Sequence, residues 1–107
     1  MEQDVNSPIM REFKHNQDVL VAIGNETRQA ILITLAQETQ DLGMRVGEIG
    51  RHTHLSRPAI SHHLKILKDA GIVSVHKEGT KNFYRLNARN KMQDLRSLID
   101  KILSLCE

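Results

Sequence analysis

Tryptophan is absent from the 107-residue chain, which has only one tyrosine and two phenylalanines. Its core must therefore be filled by Leu, Ile, Val, Ala and Met, a composition that favours helices. A single cysteine, Cys106, excludes an intrachain disulfide and fits a reducing compartment. Missing too is any run of about 18 apolar residues, so no membrane span is expected. The opening MEQDVNSPIM has acids but no Lys or Arg, and lacks the basic start and apolar centre of a secretory signal. A cytoplasmic location is therefore expected. There is no repeat, low-complexity tract or long Gly/Ser/Pro linker, so residues 1–107 read as a single domain.

Acids are scarce in the middle of the chain. Between Met44 and Lys91 stand ten Lys or Arg and three acids (Glu48, Asp69, Glu78), a balance of +7, while the remainder has five cations against ten acids, −5. A basic middle between acidic ends suits a polyanion-binding face on a self-associating scaffold. An unevenly charged solvated surface fits the same numbers.

Cap residues and apolar spacing divide the chain. Ser7-Pro8 has the form of an N-cap followed by a first-turn proline, and Ile9, Phe13, Leu20 and Ile23 extend one helix to Gly24. Asn25 caps a second helix, rich enough in Ala, Ile and Leu to be mostly buried, and 37–43 is a polar connection. A short third helix covers about 45–54, and 53–55 forms a turn. Ser56 caps a fourth helix with Pro58 in its first turn and Ile60, Leu64 and Leu67 on one face. Gly71 ends it, and Ile72 folds back. Residues 72–77 and 81–86 read as strands joined through Glu78, Gly79 and Thr80. A last helix begins at Asn87 or Asn90, with Gln93 placed as in a capping box. Its apolar stripe runs through Met92, Leu95, Ile99 and Ile102. The expected fold is mainly α with a small β-hairpin: four helices, a hairpin wing and a C-terminal helix, the winged helix-turn-helix.

Three segments carry a family resemblance: LSRPAISHHLKILKDAGIV over 55–73, AIGNETRQAILITLA over 22–36 and HKEGTKNFYRL over 76–86. In this order and spacing they resemble the recognition helix, second-helix entry and wing of ArsR-type winged-helix repressors. The likeness covers about 9–105. It implies a homodimer that represses transcription by occupying an operator, with the first and last helices, about 8–24 and 89–106, forming the dimer interface, and an effector that releases the DNA.

The Ser56 helix has the chemistry such a role needs. Opposite its core face lie Arg57, Pro58, Ser61 and His62, with Lys65 a turn further. Arg57 can offer a two-pronged contact to guanine, and Ser61 and His62 can bond a base or a phosphate. Lys65 is placed to steady the backbone, and Ser56 caps a helix end that favours a phosphate. Lys77, Thr80 and Lys81 flank the wing turn, where they can meet DNA or simply discourage edge pairing. Arg45 and Arg51 can reach phosphates from the third helix, and strand alternation leaves the side of Arg85 open. His63 points to the Leu64 side and reads as a packed, hydrogen-bonded histidine.

No metal or cofactor is expected. Where the family places paired cysteines stand Arg45 and Gly47, and the last helix offers Asp94 and Asp100 but no histidine. His52 and His54 do not share a helix face, and His62 and His63 diverge. The partners expected are double-stranded DNA and a second copy. No catalytic triad, carboxylate pair or phosphate-cradling loop points to an enzyme. Two alternatives stay open: a redox- or ligand-responsive sensor acting through Cys106 or the dimer interface, and a winged-helix module that binds protein. A C-terminal Cys on an apolar stripe also fits simple packing.

Overall fold

Capping chemistry accounts for most of the helix boundaries in the computed structural model, which describes residues 7–38 and 42–106. Helix α1 (Pro8–His15) starts where the Ser7 hydroxyl accepts from the Met10 N–H at 3.3 Å. The long first helix expected to reach Gly24 is broken at Asn16. That side chain is 2% exposed, and both its amide Nδ2 and its backbone N–H donate to the Glu12 carbonyl, at 2.8 and 3.0 Å. Asparagine competes with the helix for its own carbonyls, and here the competition ends one helix and starts another, α2 (Gln17–Ile23). The break lets α1 lie on the C-terminal helix while α2 packs into the core.

Helix α3 (Glu26–Gln37) turns off α2 at 90°, and the Asn25 side chain accepts from the Arg28 N–H at 3.0 Å, as the cap reading requires. It is less buried than its composition suggests. Ile31 and Leu35 are in the core, whereas Ala30 and Ala36 are exposed and Ile33 is 58% exposed. Neighbouring elements cover one side of it and leave the other bare. The expected connection over 37–43 falls partly on 39–41, outside the described residues.

Helix α4 (Val46–Thr53) and helix α5 (Arg57–Asp69) form the helix-turn-helix. Glu48 accepts from the Arg45 N–H at 3.2 Å at the start of α4, and the corner is made by His54 in the left-handed conformation, φ 58°. The Ser56 hydroxyl accepts from the Ala59 N–H at 3.4 Å. Helix α5 ends in the expected reversal: the Ile72 N–H reaches the Leu67 carbonyl at 3.1 Å and the Gly71 N–H the Lys68 carbonyl at 2.9 Å.

Strands β1 (Val73–Glu78) and β2 (Lys81–Leu86) pair antiparallel, from Val73 with Leu86 to Glu78 with Lys81. Because Glu78 pairs, the turn has two residues rather than three. Gly79 has φ 62° and Thr80 is not left-handed, the sign pattern of a II′ turn. A contact not foreseen in the sequence roots the hairpin. Met44 and Tyr84 exchange two backbone hydrogen bonds of 2.7 Å. Gly43, at φ 100°, makes this possible, since a Cβ there would lie 2.4 Å from the Tyr84 carbonyl oxygen.

Helix α6 (Arg89–Leu105) takes neither asparagine as its cap. Ala88 is the N-cap, without a side-chain bond, and the Asn87 N–H is committed to the Ile72 carbonyl at 3.0 Å. Lys101 and Ser97 meet Glu12 at 2.7 and 3.4 Å, and His15 Nε2 lies 2.9 Å from Asp94, so α1 and α6 are stitched together along one side. Cys106 is exposed rather than packed, its thiol donating to the Ile102 carbonyl at 3.4 Å. The core joins Ile31, Ile49, Ile60, Leu64, Leu67, Ile72 and Leu98, all at most 1% exposed.

Candidate nucleic-acid interface

Helix α5 is held from below. Ile60, Leu64 and Leu67 are fully buried, each worth about 1.5–3 kcal/mol by area removed from water. Fixing that face turns the other one outward. Ser56, Arg57, Pro58, Ser61, His62 and Lys65 are all exposed. Six residues singled out in the sequence therefore share one surface at the first turns of one helix. Lys77, Thr80 and Lys81 are exposed on the hairpin. Between helix and hairpin runs an open cleft of about 660 Å³, bordered by Ser61, Lys65, Lys68, Lys77, Asn82 and Tyr84, with Asp69 at its edge.

Several of these cations have internal partners. Lys65 Nζ lies 2.9 Å from Asp69, an exposed i,i+4 pair that a phosphate can displace at little cost. The Arg57 guanidinium folds back over α4, where a Cβ on Gly47 would stand 2.9 Å from its Nη2, so glycine leaves it room. The Arg45 guanidinium sits 6.0 Å from the Phe83 ring centroid and so joins α4 to the wing. Arg51 and Arg85 are exposed.

His63 is half-buried, as the sequence suggests, and its partner is a residue the sequence does not single out. Arg28 is 8% exposed; its Nε donates to the Ala22 carbonyl at 2.7 Å, its Nη2 to the Val21 carbonyl at 3.1 Å, and its Nη1 to His63 Nδ1 at 3.3 Å. Since a guanidinium only donates, this contact is made by an imidazole whose Nδ1 is unprotonated and accepts. Burial, then the Arg28 charge, then His62 hold the His63 pKa below its ordinary value. The His62 and His63 rings meet edge to face with centroids 5.5 Å apart. Nothing local marks Arg28 for this role. Its carbonyl partners are six and seven residues away across a right-angled corner.

An exposed polar face on a cap-started helix, buttressed by a short helix and flanked by a basic hairpin, is the arrangement of a winged helix-turn-helix. Sequence comparison agrees. Residues 25–75 match the family described as bacterial regulatory protein, arsR family. An HTH-type transcriptional regulator of Methanocaldococcus jannaschii is 37% identical over 93 residues, which span 87% of this chain and all of that one. The chain belongs to the ArsR family. The transcriptional repressor SdpR of Bacillus subtilis, another relative, is 41% identical over 70 residues, 65% of this chain and 73% of its own. Among solved ArsR-like structures, a homodimeric winged helix-turn-helix DNA-binding domain from Mycobacterium bovis superposes with a TM-score of 0.65 at 25% identity, covering 96% of this chain and 88% of that one. The present ArsR chain is accordingly a transcriptional regulator.

Proposed function

We propose that this regulator represses transcription in the cytoplasm by binding an inverted-repeat operator in double-stranded DNA as a homodimer. Helix α5 enters the major groove. Arg57, Ser61 and His62 face base edges, Ser56, Pro58 and Lys65 face the phosphate backbone, and Lys77, Thr80 and Lys81 bring the wing onto the adjacent backbone. The observation that carries this reading is the exposure of all nine residues on helix α5, whose opposite face is anchored in the core, and on the hairpin beside it.

Dimerisation through about 8–24 and 89–106 is supported by what α1, α2 and α6 leave uncovered. Phe13 and Leu20 are each 37% exposed, Ile99 47%, Leu103 62% and Leu105 70%. A radius of gyration of 16.3 Å exceeds the roughly 13 Å of a compact chain this long, as suits half of a larger body.

The test is to enrich a duplex from a random pool with the purified protein and titrate it at several salt concentrations. Expected are a palindromic site with half-sites about 34 Å apart or a multiple of that. The log–log salt slope should be roughly −0.9 per phosphate neutralised. Failure of any sequence to enrich would overturn the proposal.

A further inference from the structure

Helix α5 has to be presented at a set angle and rotation, because side chains reach base edges only over a few ångströms. Its underside is apolar, and apolar contacts are non-directional. A directional contact reaches it at mid-helix, from Arg28 to His63.

We infer that Arg28 and His63 are positioning residues for DNA recognition: a guanidinium anchored on the last carbonyls of α2 holds His63, and His63 in turn sets the His62 ring and the rotation of the recognition helix. The inference rests on the DNA-binding reading above and adds residues that touch no DNA. Three features of the geometry support it. First, Arg28 spends two of its donors on the Val21 and Ala22 carbonyls, so its head cannot swing. These carbonyls lie at the end of α2, where the helix dipole is negative and stabilises the buried cation. Second, a third donor, on Nη1, aims at an imidazole nitrogen rather than a carboxylate, which fixes ring orientation without neutralising the charge. Third, the His63 ring stands edge to face against His62, the exposed neighbour assigned to the DNA. One rigid corner of the core is thereby connected to a base-reading side chain through two contacts.

A carboxamide can stand in for half of an imidazole. In His63→Asn the Oδ1 atom can take the place of Nδ1 and accept from Arg28, whereas His63→Leu keeps the bulk and removes the acceptor. The experiment measures binding of each variant to the enriched duplex and to a shuffled duplex of equal length, after a thermal melt confirms folding. His63→Leu should weaken binding to the enriched duplex about tenfold, the worth of one charge-assisted hydrogen bond. Binding to the shuffled duplex, governed by phosphates, should change less than about twofold. His63→Asn should recover most of the selectivity. If the parent is selective and His63→Leu equally so, or if His63→Asn is as impaired as His63→Leu, the positioning role is wrong while the DNA reading stands. A parent without selectivity removes the DNA reading, and this inference with it.

Discussion

Arg28 and Arg57 show how little a residue type says about its task. Both are arginines one to three residues past a helix cap, yet one is 8% exposed and bonds to the protein while the other lies on the surface. Replacing Arg57 with Ala should relax base preference, costing about 1–3 kcal/mol if it reads a guanine. Lys81→Ala should instead weaken enriched and shuffled duplexes alike and lower the salt slope by about one. Titration of the two duplexes separates these outcomes, and parent-like binding by both variants would refute the contact assignment. His63 makes a prediction about stability. Its pKa is lowered in the folded chain from 6.5, so above 6.5 both states hold it neutral. As pH falls below that value the unfolded chain takes up the proton first, and stability drops until pH passes the folded value. Urea midpoints at about pH 7.5 and about pH 5.5 should therefore differ more for the parent than for His63→Asn.

Among the elements, helix starts marked by a capping side chain follow their sequence signals closely. Ser7, Asn25 and Ser56 all accept a hydrogen bond from the backbone N–H three residues on. Gly71 closes α5 by the expected reversal. The misreadings have both local and tertiary sources. Asn16 sits in a polar stretch that periodicity bridges, but its buried amide breaks the helix. Asn87 is a good cap by type, yet its N–H is drawn to Ile72 across the hairpin root. The bridge between Met44 and Tyr84 joins residues forty apart, which no spacing rule reaches. This bridge has a consequence at Gly43. In Gly43→Ala the left-handed backbone is strained and the new methyl meets the Tyr84 carbonyl, so the unfolding free energy should fall by about 3 kcal/mol. Urea denaturation measures it, and a loss below about 1 kcal/mol would mean that the hairpin root moves freely aside.

At the scale of the whole molecule, one subunit leaves apolar surface on two sides. The stripe of α6 continues past its contact with α1 into Ile99 and Leu103. Beside its start, Ile33, Leu32, Ile72, Leu86 and Met92 line an open apolar hollow of about 270 Å³. If a second copy covers the stripe, a charge placed there should prevent association. Ile99→Asp and Leu103→Asp should each raise the dimer dissociation constant by about a hundredfold or more, because the change enters the interface twice. Sedimentation equilibrium reads this directly, and unchanged dimerisation would place the interface elsewhere. On the proposed reading, in which each subunit of a dimer reads one half-site, the same variants should lose most of their operator affinity while still folding as monomers.

Apart from the split of the first helix at Asn16, helix and strand order, the helix-turn-helix, the wing and the outward face of α5 were legible in the chain itself, because caps, turns and apolar periodicity act over three or four residues and need no knowledge of what lies opposite. Ser56, Arg57, Ser61 and Lys65 could be placed on one face for the same reason. What remained for the tertiary structure were the relations between segments far apart in sequence: Arg28 with His63, Met44 with Tyr84, His15 with Asp94. Those depend on the angles at which helices cross. The angles are set by the packing of all the elements at once, and no local stretch of sequence carries them.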